Sequence, residues 1–512
     1  MDKLIFSFLC VIGAITVPVT SSPALLLTPY IEENRLAEAR NESLVDPHLF
    51  LGVYSFSGFF TVDKKYNSSV FFWYFPKKVA EHTPWIIWLQ GGPGCSSLIG
   101  LFAEIGPFEY VNEELRLRKT SWWNEYSMVF IDNPVGAGFS FTDHIDGSPR
   151  SMETYSTHLF STVQQLTKLF PELRQAPLYV AGSSYAGHYV PALAMKIHEA
   201  NTKDINLQGI ILGNPVINRE SVKDYTRAFY EWGLIDQQGA LRARPLQGQY
   251  DAAIQNGQSE LASDLREKLL DKLQEISQQS NLYNIVQDQE SSFSSFKNFI
   301  MTDYVREAIH VGNLGFAICY SSLHTSLAPE FLVKVSPKVE RLLENHSMLI
   351  YCGQFDLMTP CVQAAEERRR SWRWSGREQF LAAPRQPWRF GGSVAGYVKS
   401  GGGLTEVLVR GAGHLAPIDK PAEVQQLVSY FINGTYFING MNLIPGNHQS
   451  SEPEPEYRDP EEDSNVGLIL SVFINVFLVV TIIALVLWFI SWKKKNEPYF
   501  IPREDIFNVD EV

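Results

Sequence analysis

From Phe50 to Tyr230, short apolar runs alternate with longer stretches in which apolar positions recur every three or four residues. The runs SVFFWYFP (69–76), PWIIWLQ (84–90), YSMVFIDNP (126–134), PLYVAG (177–182) and LQGIILGNP (207–215) are bounded by Gly and Pro and predict buried strands. Helical periodicity covers Met152 to Phe170 and returns in YAGHYVPALAMKIHEA (185–200), where Val190, Leu193, Met195 and Ile197 can cover a sheet. Strands alternating with helices predict an α/β fold: a mainly parallel central sheet with helices on both faces. From about 220 to 297 the chain turns polar and helical. In ELASDLREKLLDKLQEISQQ (260–279) Leu261, Leu265, Leu269, Leu270 and Leu273 mark one face, which predicts a helical cap inserted over the sheet edge. Strand signals resume in HSMLIYCGQFD (346–356) and LTEVLVRGAGH (404–414), and a helix from about Pro421 to Phe431 closes the pattern.

The two ends differ from this body. Residues 1–22 place Lys3 ahead of an apolar stretch that closes on small polar residues, the layout of a secretory signal cut near Ser21 or Ser22. Residues 466–492 are apolar apart from weakly polar positions such as Ser471, Asn475 and Thr481. As a helix they would rise about 40 Å at 1.5 Å per residue, enough for a bilayer core of roughly 30 Å. Lys493, Lys494 and Lys495 follow and SSEPEPEYRDPEED (450–463) precedes, so the positive-inside rule leaves residues 493–512 in the cytosol. The expected layout is a signal (1–22), a folded domain (23–445), an acidic Pro/Glu stalk (446–465), a membrane helix (466–492) and a cytosolic tail. That is a single-pass protein of the secretory pathway, in the Golgi, endosomes or lysosomes, or at the cell surface.

Composition agrees with a large folded domain: 45% of the 512 residues are hydrophobic and 19% charged. A net charge of −13 gives no basic field for phosphate backbones, which argues against a nucleic-acid partner. The basic stretch RRRSWRW (368–374) reads as a solvated helix face packed on the sheet. Once Cys10 leaves with the signal, Cys95, Cys319, Cys352 and Cys361 remain and allow two disulfides in any of three pairings. No CxxC or clustered histidine pattern accompanies them, so no metal is implied, and no cofactor. Sequons stand at Asn41, Asn67, Asn345 and Asn433.

PLYVAGSSYAG (177–187) carries the chemistry. A nucleophile elbow is a tight strand-to-helix turn that leaves room only for small residues two before and two after the serine. Ser184 has Gly182 and Ala186 there, whereas Ser183 has Ala181 and Tyr185, so Ser184 is the candidate. Its hydroxyl needs a base and an orienting acid at later strand ends, in the chain order Ser, Asp, His. Asp356 and His414 stand where apolar strands break into loops. The glycines of IIWLQGGPGCSS (86–97) let backbone N–H groups approach one point, as an oxyanion hole requires, and no Lys-Ser or Lys-Thr follows as a phosphate loop would demand.

These residues resemble the serine carboxypeptidase family, an α/β-hydrolase fold. WLQGGPGCSSLIGLFAEIGPF, DNPVGAGFS, GSSYAGHYVPA, GIILGN, FYEWGLID, VREAIHVGN, GQFD, QPWRFGGSVAGYVK and VRGAGHLAP fall in the family's order between about Phe50 and Asn433. The WLQ start, the few cysteines and AIHVGN are most similar to the vitellogenic carboxypeptidase-like branch, and the anchor to membrane-bound processing carboxypeptidases. The resemblance implies Ser184 as nucleophile, His414 as general base and acid, and Asp356 as the residue that orients the imidazole. It further implies an oxyanion hole from the N–H groups of Gly92 and Tyr185, a site for the substrate's terminal carboxylate at Gln90, Gly91, Glu104 and Ser183, and pairing of Cys95 with Cys319. Cys352 and Cys361 are left to pair or stay free.

Ser183 is the main departure. The family has glutamate there, sharing a proton with the acid at position 104. Without that partner Glu104 is expected to lose its proton at lower pH and then to repel the carboxylate it should bind, while the Ser183 hydroxyl can still donate. Gln90 for asparagine, Ile105 after Glu104, and Leu415 with Ala416 in place of Met-Val are smaller departures. The implied activity is acyl-enzyme hydrolysis of C-terminal residues from peptides in an acidic lumen. An acyltransferase or esterase on the same scaffold, or a non-catalytic anchored binding protein, are the alternatives.

Overall fold

The computed structural model describes residues 23–434 apart from 219–223, 290 and 292, together with the backbone of two short strands, Tyr436–Ile438 and Met441–Leu443. The expected signal, stalk, membrane helix and tail lie outside the described residues, among which no helix is long and apolar enough to cross a membrane.

The strands are β1 (Leu44–Val45), β2 (Ser55–Asp63), β3 (Ser68–Phe75), β4 (Trp85–Leu89), β5 (Phe108–Val111), β6 (Glu114–Leu117), β7 (Ser127–Ile131), β8 (Pro177–Ser183), β9 (Asn206–Gly213), β10 (Ser347–Gly353), β11 (Gln386–Phe390), β12 (Ser393–Gly401) and β13 (Leu404–Val409). β5 and β6 form a separate hairpin; the others make one 11-stranded sheet in the order β1-β2-β3-β7-β4-β8-β9-β10-β13-β12-β11. The middle run from β7 to β13 is parallel throughout, as expected. The strands on either side of it pair antiparallel, so the whole sheet is mixed. On the β13 side the reason is local. Gly391-Gly392 and Gly402-Gly403 have φ of +54°, +83°, +53° and +85°, the two-residue turns that return a strand directly beside its neighbour and leave no length for a crossover helix.

β4 shows why the middle of the sheet is apolar on both sides. Trp85, Ile87 and Leu89 face one core with Leu159, Val163 and Leu166 of the helix Met152–Leu169, while Ile86 and Trp88 face the other with Val424, Leu427 and Val428 of the helix Pro421–Ile432. The insertion folds as helices Tyr225–Glu231, Gln237–Gln255 and Ser259–Ser277 with their own apolar cluster, which includes Leu357 beside the site. Leu265, Leu269, Leu270 and Leu273 are buried, but Leu261 is 45% exposed. At 100° per residue Leu261 sits at the edge of the stripe and Ala262 takes the inward place. Arg368 also departs from expectation: it is buried and bonds to Glu406 at 2.6 Å, so the basic stretch is not simply a solvated face.

Candidate active site

The exit of β8 is shaped by close approach. Ser184 has φ +59°, a conformation rare for a residue with a side chain, and stands between β8 and the helix Ala186–Ala200. A Cβ at Gly182 would lie 2.4 Å from the Leu89 carbonyl oxygen and 2.6 Å from the Ala186 Cβ, so the small flanks are a steric need. The backbone is pinned as well: the Ser184 N–H donates to the Gly213 carbonyl at 2.9 Å, and its carbonyl accepts from Gly187 at 3.0 Å and Val216 at 2.9 Å.

Gly353 ends β10, and Asp356 lies in the turn beyond it, not in the strand. Its Oδ2 accepts from His414 Nδ1 at 2.7 Å, Asn214 Nδ2 at 2.7 Å and the Thr359 hydroxyl at 2.5 Å, while Oδ1 accepts from the N–H groups of Met358 at 2.7 Å and Thr359 at 3.0 Å. Burial alone would push this carboxyl up, but the adjacent imidazole and these hydrogen bonds hold it below the usual aspartate value. His414 follows β13; its N–H donates to the Tyr283 carbonyl at 2.6 Å and the Tyr283 ring stands edge-on at 5.1 Å, so the loop carrying the histidine is tied to the end of the cap. A disulfide joins Cys352 to Cys361, on either side of Asp356.

Ser184 and His414 line one cavity of about 390 Å³ with Gln90, Gly91, Gly92 and Ser183. The glycine loop after β4 is pressed onto the elbow: a Cβ on Gly91 would lie 2.7 Å from the Tyr185 nitrogen. Gly92 has φ +112°, and Tyr185 caps the helix Ala186–Ala200, where N–H groups have no acceptor within the helix. The loop is held from behind by Asp132, whose Oδ1 accepts from the Ser96 hydroxyl at 2.6 Å and the Ser97 N–H at 2.9 Å, and by the Cys95–Cys319 disulfide. Burial raises the Asp132 carboxyl to about 6, against those bonds.

Glu104 does not itself line the cavity; Gln90, Gly91 and Ser183 do. Gln90 is gripped on both ends: its Oε1 accepts from the Trp88 indole at 2.9 Å, and its Nε2 donates to Glu104 Oε1 at 2.9 Å and to the Ser183 hydroxyl at 3.4 Å. Ser183 thus accepts from Gln90 and keeps its own O–H to donate. Glu104 Oε2 is buried with no hydrogen-bond partner. Burial pushes this carboxyl up to about 7, against the hydrogen bond from Gln90 and the charges of His414 and Arg118. Desolvation thus keeps Glu104 protonated up to about 7 with no acid at position 183.

Three contributors escaped the sequence reading. Asn214 stands in the quoted GIILGN and Asp132 opens the quoted DNPVGAGFS, where the break after an apolar strand is the available signal; Thr359 gives none. Among the described residues no group of three His, Cys, Asp or Glu is placed to hold a metal. Of the sequon asparagines, Asn41, Asn345 and Asn433 are exposed, and Asn67 is half-buried with its amide on Asp143 at 2.9 Å.

The strand order and the elbow define an α/β-hydrolase fold, shared with the solved Kex1 prohormone-processing carboxypeptidase of Saccharomyces cerevisiae at a TM-score of 0.68 and 24% identity, over 79% of this chain and 99% of that one. A model of the family described as "Serine carboxypeptidase" matches residues 47–434, and the chain belongs to that family. It is 36% identical to the vitellogenic carboxypeptidase of Aedes aegypti over 82% of this chain and 92% of that protein. It is 36% identical to the human protein named "Probable serine carboxypeptidase CPVL" over 81% and 90%.

Proposed function

We propose that the protein releases C-terminal residues from peptides through an acyl-enzyme on Ser184. The observation that carries this reading is the meeting, in one cavity, of a serine held at a left-handed elbow with a histidine whose Nδ1 is bound by a buried carboxylate. Asp356 holds Nδ1–H, so Nε2 is the basic nitrogen. It takes the Ser184 proton as the oxygen attacks the last peptide carbonyl, then gives it to the departing amine. The N–H groups of Gly92 and Tyr185 stabilise the oxyanion. Water deprotonated by the same imidazole then releases the acyl group.

The terminal carboxylate is received by the Gly91 N–H and the Ser183 hydroxyl, with neutral Glu104 behind Gln90 adding no negative charge. Two peptides that differ only in ending as a free acid or an amide test the reading. Strong preference for the acid, with loss of activity on labelling by a serine-directed phosphonate, is the expected result. Preference for the amide or for esters would move the assignment to acyl transfer or ester hydrolysis. Lack of labelling would leave a binding protein.

The remaining layout belongs to the same reading: signal, lumenal catalytic domain, stalk and a C-terminal membrane helix, with glycans on the sequon asparagines. Resistance of the protein to alkaline carbonate extraction, and a mass shift on deglycosylation, check it.

A further inference from the structure

The cap helix Ser259–Ser277 enters the catalytic cavity through two adjacent residues, Arg266 and Glu267, and the proposed chemistry uses neither. Arg266 is only 5% exposed. Its Nε donates to the Tyr225 hydroxyl at 2.8 Å, its Nη2 to the Met358 carbonyl oxygen at 3.4 Å, and the Tyr225 ring lies 5.3 Å from the guanidinium carbon. The guanidinium is therefore fixed. Its Nη1 donates to Glu267 Oε1 at 2.8 Å, but the Glu267 side chain is 53% exposed. A buried cation thus relies on a counterion that water already solvates, a pairing that contributes little. A carboxylate delivered by a bound peptide would shed its water and meet the same nitrogen where charges act more strongly. Among the described residues lining the cavity, Arg266 is the one arginine or lysine and Glu267 the one acid.

Sheet order tells which part of the peptide reaches it. In the order β4-β8-β9-β10, the residues expected to take the terminal carboxylate follow β4, Ser184 follows β8, and Met358, which holds Arg266, follows β10. With the last residue lying between the glycine loop and Ser184, the acyl part of the substrate runs the other way, toward β10. The first side chain on that path is the one before the scissile bond.

We propose that Arg266 forms the subsite for the penultimate residue and selects an acidic side chain there, with Glu267 as a built-in competitor that covers the guanidinium until substrate displaces it. The proposal rests on the carboxypeptidase reading. A purely structural Arg266, bridging the cap to the turn after β10, would show no charge selectivity.

The test uses the full-length protein and N-blocked dipeptides that share a C-terminal phenylalanine and carry Glu, Gln or Lys before it. Expected are kcat/KM values roughly tenfold higher for Glu than for Lys, a gap that narrows in high salt. Glu267→Gln, at an exposed position, should raise the Glu:Gln ratio severalfold, and Arg266→Gln should erase it. Equal rates for Glu and Gln, preference for Lys, or an unchanged ratio in Glu267→Gln overturns the subsite while the carboxypeptidase reading stands. Cleavage of none of the three by the wild type removes both.

Discussion

Asp356 and Glu104 are buried carboxyl groups of one site, each 1% exposed, and they differ in what surrounds their oxygens. Both oxygens of Asp356 are filled by donors from His414, Asn214, Thr359 and Met358, and it is held ionised below the usual aspartate range. Glu104 has one donor, the Gln90 amide, and an oxygen with none, and it stays neutral up to about 7. Burial is the same in both; the adjacent His414 and the donors around Asp356 decide the difference. In the proposed chemistry one group must be an anion to orient an imidazolium, and the other serves best uncharged, beside the site proposed for the terminal carboxylate.

Breaking the ionised member has the largest expected effect. Asp356→Asn keeps the shape but presents an amide to Nδ1 in place of the charge, and kcat should fall by about four orders of magnitude. Steady-state kinetics at saturating peptide checks this, with KM little altered. Removing a single donor is a milder version of the same break. Asn214→Ala leaves Oδ2 one bond short, and a charged hydrogen bond of roughly 1.5–3 kcal/mol corresponds to a loss of about 10–100-fold in kcat/KM.

The neutral member is tested by pH. Glu104 would titrate near 4.5 in the unfolded chain and at about 7 when folded, so the folded protein holds the extra proton between those values. Its share of stability is therefore greatest below about pH 4.5 and declines as pH rises to about 7, by something on the order of 3 kcal/mol. Affinity for free-acid peptides should weaken over the upper part of the same range. Glu104→Gln should flatten both, leaving a smaller drop in Tm from pH 4.5 to 8 than the wild type and a KM that no longer climbs near pH 7. Ser183→Glu has the smallest expected effect: a second carboxyl beside Glu104 and Gln90 should move the rise in KM to higher pH by keeping one proton shared across the pair. KM measured against pH in the two variants separates a charge effect from a merely steric one.

How far the sequence went follows the same division. Ser184 was legible because the size limits on its neighbours are local, and Gly182 and Ala186 meet them. Asp356 and His414 were legible as breaks after apolar runs, and the parallel middle of the sheet as strands too apolar for one wet face. What lay hidden depends on distant residues. The protonation of Glu104 follows from desolvation by a folded interior, which no neighbouring letter encodes. Asn214 becomes a partner of Asp356 only when β9 and β10 pair, whereas Thr359 reaches it within the turn, three residues on. The arrival of Arg266 depends on the cap folding back against the turn after β10. Leu261 failed for a smaller reason, a helical stripe drawn one position too wide.

Trp88 carries one more implication. Its indole N–H holds the Gln90 oxygen, so the amide cannot turn over without stranding that donor. A Cβ on Gly100 would fall 2.2 Å from the same indole nitrogen. In the proposed reading, recognition of chain ends is thus governed from within the hydrophobic interior, and mutant libraries confined to cavity-facing positions would overlook the side chains that aim it.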